Sequence, residues 1–309
     1  MEKNKKYRLV TRSDFDGLVC AVLLRELDII GDILFVHPKD MQDGKIAINE
    51  NDITTNLPYV EGVYLAFDHH ESETVRIKKK YDNHIIEKDA PSAARVVFNY
   101  YGGESAFPGV SKDIMDAVDK GDSAKFTMDD VINPKGWNLL NFIMDARTGL
   151  GRFRDFRISN YQLMMELIDL CKTMTIDQIL HMPDVKERAD LYFHYETKFK
   201  DQLKRCSRMF DKVVVLDLLD EEVIYPGNRF VIYALYPQAT ISIHILWGIH
   251  KQNTVFAVGR SIFDKSSTVN IGETMLQYGG GGHPVAGTCQ VANKDADRIK
   301  LELIKILNG

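Results

Sequence analysis

Short, mostly apolar blocks mark the first third of the chain: Tyr7 to Val10, Ile33 to Val36, Lys45 to Ile48 and Val63 to Phe67. Each is too brief for a helix and is bounded by polar or glycine-bearing stretches, which predicts strands. Between the first two, Gly17 to Leu27 (GLVCAVLLREL) is apolar almost all round, which predicts a helix buried on every side. Continuous apolar strands alternating with helices predict a parallel sheet covered on both faces.

Helical periodicity follows at Ser92 to Tyr101, Ser111 to Val118, Ser159 to Thr173 and Lys186 to Met209. Beyond Phe210 the texture changes. Val213 to Leu216, Phe230 to Tyr233, Ile241 to Leu246 and Thr254 to Val258 are β-rich runs, Val269 to Leu276 reads as a helix, and Asn293 is placed to cap a last helix with Asp295 and Asp297 in its first turn. The expected architecture is α/β: a parallel-sheet amino-terminal domain over 1–190, a helical connector over 191–211, and a smaller α/β domain over 212–309.

The 309 residues are 45% hydrophobic and 27% charged with a net charge of -5, an ordinary globular composition. No global basic field exists to coat a nucleic-acid duplex, although a local phosphate pocket is compatible with that balance. No run approaches the ~18 apolar residues of a membrane span, and MEKNKKYRLV lacks the apolar core of a secretion signal. Cys20, Cys171, Cys206 and Cys289 are scattered without a CxxC pair, so reduced thiols and a cytoplasmic location are expected.

Ligands of parallel α/β sheets bind beyond the carboxyl ends of the strands. On the strand assignment above, the loops after Val10, Ile48 and Phe67 carry Asp14, Asp52 and His69, which would converge on one crevice. Asp14-Phe15-Asp16-Gly17 offers two carboxylates two residues apart, and Asp68-His69-His70 offers a carboxylate and two imidazoles at a strand end. Carboxylate and imidazole are ligands for Mn, Fe and Zn. Two metal ions about 3.5–4 Å apart can activate water and stabilise both oxygens of an in-line displacement at phosphorus. Near the carboxyl end, Gly279 to Gly282 precede His283; such glycines let backbone N–H groups approach an anion.

These segments, in this order from about Tyr7 to about Ala292, resemble the DHH/DHHA1 phosphoesterase family: Asp14-Phe15-Asp16-Gly17, Asp52, Asp68-His69-His70, Asp122 and GGGGHPVAG from Gly279 to Gly287. The resemblance implies a catalytic DHH domain, a substrate-binding DHHA1 domain, and hydrolysis of a small nucleotide or short oligonucleotide phosphoester in the cleft between them. It implies Asp14 as a ligand of a first metal, Asp16 and His69 as ligands of a second, Asp52 as the bridging carboxylate and Asp122 as the last ligand, with Asp119 a competitor. His70 would support the site or face the phosphate, and Asp68 would orient its neighbours. One or two Mn²⁺ ions are implied, Mg²⁺ or another divalent ion being an alternative. Arg260, Ser261, Gly280, Gly281, Gly282 and His283 would grip the substrate. Homodimerisation is left open. Two other readings share the scaffold: an exopolyphosphatase and a non-catalytic nucleotide-binding module.

One departure stands out. Relatives carry a histidine or aspartate two residues before the first aspartate of this loop, or a histidine four before it; here those positions are Arg12 and Val10. Arginine has no lone pair to offer a metal. Arg12 is a surface residue, a phosphate clamp, or a partial replacement for the charge of the first metal.

Overall fold

The structure, a computed structural model, describes residues 5–70, 73, 76–77, 79–153 and 155–309. Its contacts divide into two compact units. The first takes the chain up to Lys125, Pro134–Ala146 and Leu150–Leu191; the second takes Phe126–Asn133, Arg147–Gly149 and Tyr192–Gly309.

The first unit is built on five parallel strands in the order β2-β1-β3-β4-β5: β1 Tyr7–Arg12, β2 Ile30–Val36, β3 Asp52–Thr55, β4 Leu65–Asp68 and β5 His84–Ile86. Helix α1 (Phe15–Glu26) follows β1, and its seven residues Leu18 to Leu24 are all fully buried. That burial explains the apolar run: α1 packs against three helices of this unit, α3 (Ala93–Tyr100), α4 (Lys112–Asp122) and α7 (Asn160–Thr173), and α2 (Pro38–Gln42) is a short helix capped by His37. Side-chain caps start α3, α4 and α7 from Ser92, Ser111 and Ser159, satisfying amide groups that have no partner inside the helix.

The expected strand at Lys45 to Ile48 does not form. That segment is irregular, and Ile46 and Ile48 instead pack side-on against Val10, Val36, Met41 and Leu57. The ladder partner of β1 is β3, with Arg8 opposite Asp52 and Thr11 opposite Thr55. A β-branched run, Ile53-Thr54-Thr55, suits this fully buried strand.

The remaining helices are α5 (Met128–Ile132), α6 (Gly136–Met144), α8 (Ile176–His181) and α9 (Pro183–Cys206). The change of unit falls within α9, between Leu191 and Tyr192. The second unit carries a mixed sheet of β6 Ser207–Phe210, β7 Val213–Asp217, β8 Ile241–Trp247, β9 Thr254–Arg260, β10 Gly281–His283 and β11 Ala286–Val291, in the order β10-β11-β9-β8-β7-β6 with only β7 and β8 parallel.

Alternate residues of its strands, among them Val213, Val215, Ile243, Ile245, Phe256 and Val258, form one core with Ile271 and Met275 and with Ile299, Leu303 and Leu307. Phe230 to Tyr233, expected as a strand, instead enters a five-residue helix, α10 (Val231–Leu235). Asn228 starts the turn by accepting from the amide of Phe230, and the Tyr233 hydroxyl reaches Ser242 Oγ (2.8 Å) and the Gly259 carbonyl (2.7 Å). Helix α11 (Ile271–Leu276) is capped by Asn270. The last helix, α12 (Ala296–Asn308), has Asp295 at its cap position; Asn293, expected there, instead joins Thr254 and Lys251. Among the described residues no helix is long and apolar enough to cross a membrane.

Candidate active site

The carboxyl end of the parallel sheet is where β1, β3 and β4 stop, at Arg12, Thr55 and Asp68. Asp14 is the N-cap of α1 and accepts from the Gly17 amide at 3.0 Å. Gly17 permits this turn: a Cβ there would stand 2.0 Å from the Arg12 carbonyl oxygen. Asp16, one residue into α1, is 2% exposed and accepts from two amides at the start of α3, Ala93 (2.9 Å) and Ala94 (2.8 Å).

Asp68, the last residue of β4, anchors the two imidazoles after it. Its Oδ1 accepts from the amides of His69 (2.8 Å) and His70 (3.3 Å) and pairs with His70 Nδ1 at 2.6 Å. His69 is turned by a different contact, Nδ1 to the Ala90 carbonyl at 3.2 Å. A carbonyl only accepts, so Nδ1 carries a proton and the neutral ring presents its lone pair at Nε2. That Nε2 is buried without an aligned hydrogen bond, yet lies 3.0 Å from Asp122 Oδ2. A lone pair facing a carboxylate is repulsive unless a cation, either a proton or a metal ion, lies between them.

Asp16, His69 and Asp122 each offer a ligand atom, all within 4.8 Å of one another. A histidine whose other ring nitrogen donates to a carbonyl is the usual arrangement at a metal. The electrostatics agree. Burial pushes the Asp16 carboxyl up to about 7, with the charges of Asp122 and Asp14 adding to the effect and that of His69 opposing it. Burial works against a charged His69, but Asp122 outweighs it and holds the imidazolium up to about 9. Asp122, against the desolvation of its carboxyl, is held below the usual carboxylate range by His69. The pocket thus demands positive charge at one point, and the donor set fits a divalent ion there.

Asp119 is spent elsewhere, accepting from Ser92 Oγ (2.7 Å) and Arg95 Nε (2.9 Å). Of the two aspartates in α4, Asp122 is therefore the one that faces the site.

Asp52 is a correction. It opens β3, at the opposite end of the sheet from Asp14, where it accepts from Arg8 Nε (2.6 Å), Arg8 Nη2 (2.9 Å) and the Asn49 amide (2.8 Å). A bridging role required a strand ending at Ile48, and that strand is not formed. The residue that follows β3 into the site is Asn56, whose Nδ2 donates to Asp14 Oδ1 at 3.2 Å. The signal in the sequence is the β-branched run Ile53 to Thr55 followed by asparagine, a residue that tolerates the left-handed turn seen here (φ 55°).

In the second unit, Gly281 to His283 form the edge strand β10, paired with β11 through Gly282 opposite Gly287 and His283 opposite Ala286. The glycines serve close contact between backbone segments. Gly282 has φ 153° and a Cβ there would meet the Ala286 carbonyl at 2.3 Å; one on Gly272 would meet the Gly282 carbonyl at 2.5 Å. Arg260 ends β9, its amide donating to the Val285 carbonyl at 2.8 Å beside this hairpin. Ser261 Oγ accepts from the amides of Phe263 and Asp264 and closes a turn. Of the arginines in the glycine-rich stretch from Asp145 to Arg154, Arg154 lies outside the described residues.

No family model and no curated protein matches the sequence. Among solved structures, the pGpG-specific phosphodiesterase PggH from Vibrio cholerae is 62% identical, with a TM-score of 0.84 over 98% of this chain and 99% of that one. The chain belongs to the DHH/DHHA1 phosphoesterase family. Two further structures share the fold at 12% identity. The DHH domain of a member of the s1p family of ribosomal proteins has a TM-score of 0.62 over 97% of this chain and 86% of its own. An exopolyphosphatase-related protein from Bacteroides fragilis has a TM-score of 0.56 over 98% and 93%. The enzyme is thus a phosphoesterase whose amino-terminal unit presents acidic and imidazole groups able to hold a metal ion.

Proposed function

We propose that this phosphoesterase hydrolyses the internal phosphodiester of a short linear guanine dinucleotide, pGpG or a close analogue, with a divalent ion held by Asp16, His69 and Asp122. The observation that carries the metal is the convergence of His69 Nε2, 3.0 Å from Asp122 Oδ2, with Asp16 and Asp122, the ligand atoms lying within 4.8 Å of one another and Ala90 fixing the ring from behind. The substrate class is supported by the 62% identity along nearly the whole chain to a pGpG-specific phosphodiesterase. Likeness to an exopolyphosphatase-related protein at 12% identity supports the fold alone.

A divalent ion supplies Lewis-acid polarisation of a phosphoryl oxygen and lowers the pKa of an attacking water; oxygen and nitrogen donors of this kind suit Mn²⁺. The residues present do the rest. Asp68 holds His70 at the rim, where its imidazolium, favoured by that carboxylate despite burial, faces phosphate or the leaving oxygen. Asp14 orients the strand-to-helix turn and the cation beside it. Arg260, Ser261, Gly280, Gly281, Gly282 and His283 are proposed as contacts for the substrate, with the guanidinium suited to a terminal phosphate. Hydrolysis consumes one water and leaves two guanosine monophosphates.

The test is parallel turnover by purified protein with Mn²⁺ on pGpG, cyclic di-GMP, 3′-phosphoadenosine 5′-phosphate and polyphosphate. Guanosine monophosphate from pGpG, at a kcat/KM at least about tenfold above the others, is expected. Polyphosphate hydrolysis with pGpG left intact overturns the proposal.

A further inference from the structure

We propose that this active site is built for a single divalent ion, and that the Arg12 guanidinium provides the second positive charge and meets the substrate phosphate itself. This deepens the phosphodiesterase reading and rests on it. Two-ion hydrolysis needs a second cluster of anionic ligands and a carboxylate shared by both ions. Around Asp14 the structure offers the reverse. Its Oδ1 accepts from the Gly17 amide (3.0 Å) and from Asn56 Nδ2 (3.2 Å), and its Oδ2 lies 2.8 Å from Arg12 Nε. These contacts all come from hydrogen-bond donors, one of them a permanent cation. A second divalent ion at Asp14 would lie against N–H groups and a guanidinium, which offer it no lone pair.

The position after β3 reinforces this. Asn56 is 1% exposed and neutral, so the residue that follows β3 into the site brings no charge to bridge two ions, and the strand's own carboxylate, Asp52, lies at its other end. Its amide orientation follows from its neighbour, because only the NH₂ end can face a carboxylate. That leaves Oδ1 buried and, among the described residues, without a hydrogen-bond partner.

Formal charge points the same way. With Asp68 matched by His70, three carboxylates remain, Asp14, Asp16 and Asp122; one arginine and one divalent ion neutralise them. A second divalent ion would leave an excess of positive charge in a poorly solvated pocket. Arg12 is one-third exposed, its Nε faces Asp14 and its charge is felt at Asp122. A planar fork of this kind matches two oxygens of a phosphodiester. Held by Asp14, it is oriented before substrate arrives, so charge that develops at phosphorus meets a fixed donor.

The experiment counts ions. Protein loaded with excess Mn²⁺ and desalted is expected to carry one manganese per chain by elemental analysis, and the double variant Arg12→His/Asn56→Asp two. Arg12→Ala is expected to keep one manganese, to lose about 100-fold in kcat on pGpG, and to recover part of it with added guanidinium ion. Two manganese ions in the unmodified protein overturn the inference while leaving the phosphodiesterase reading intact, as does an Arg12→Ala variant with unchanged kcat. No bound manganese together with chelator-resistant turnover of pGpG overturns the inference and the metal dependence of the proposed function, and no turnover of pGpG at all overturns the phosphodiesterase reading itself.

Discussion

At the residue scale, the site depends on which atom of a side chain is free. His69 is bonded at one nitrogen to the Ala90 carbonyl, so its other nitrogen must meet Asp16 and Asp122. His69→Ala is expected to lower Mn²⁺ affinity by at least about tenfold, measured by calorimetry, and to abolish detectable turnover while leaving the thermal midpoint of the metal-free protein within a few degrees. A variant that binds Mn²⁺ like the parent places the ion elsewhere. Asp52 gives the opposite expectation. Its carboxylate is tied to Arg8 at the far end of the sheet, so Asp52→Ala should cost about 2 kcal/mol of stability through lost charged hydrogen bonds, seen as a lower urea midpoint, with the manganese content unchanged. Loss of metal in that variant would return Asp52 to the site.

At the element scale, the junction of β1 and α1 is the structural device on which the site rests. The helix starts so close to the strand that Gly17 has no room for a side chain, its Cβ position lying 2.0 Å from the Arg12 carbonyl and 2.8 Å from Thr11 Oγ1. Gly17→Ala must push the first turn of α1 away and carry Asp14 and Asp16 with it. The expected result is a loss of about 2–3 kcal/mol, in the range of overpacked sites, together with weakened Mn²⁺ binding. A fully stable variant with normal metal affinity would mean that the turn relaxes without moving the carboxylates. The β10–β11 hairpin uses glycine in the same way at Gly272, Gly280 and Gly282. Its glycine-rich sequence therefore serves backbone packing first, and any anion contact comes after that.

At the scale of the whole molecule, each unit has its own sheet and core, and folding stability draws on titratable groups of both. His244 on β8 is one such group: burial, with the charge of Arg229 adding to it, depresses its imidazole to about 4. The unfolded chain would protonate it near 6.5. Above that pH the ring is neutral in both states, and its full contribution to stability is present. As pH falls from about 6.5 through 4, the unfolded state binds the proton first, and that stability is lost. Denaturant titrations at pH 7.5 and pH 4.5 should therefore show a smaller loss for His244→Gln than for the parent chain. Equal losses would show that His244 titrates normally.

The sequence by itself determined the elements with the strongest local signals and singled out candidate residues for the chemistry. The apolar run from Gly17 to Leu27 predicts a buried helix, and α1 is buried from Phe15 to Leu24. Asp14, Asp16, His69 and Asp122 stood at strand and helix ends, and all four lie at one end of the first unit's sheet. Arg12 was legible as a departure, but its contact with Asp14 was not. What only the tertiary structure decided was register and local competition for partners. Lys45 to Ile48 and Ile53 to Thr55 are both apolar enough to be strands, and the choice between them rests on which one pairs with β1. That choice moved Asp52 to the far end of the sheet and brought Asn56 into the site, because shifting a strand by a few residues exchanges its ends. Phe230 to Tyr233 likewise became helical through the Asn228 turn and the reach of the Tyr233 hydroxyl, neither of which short-range hydrophobicity records. Local pattern sets which residues are buried or polar; long-range pairing sets which of them meet.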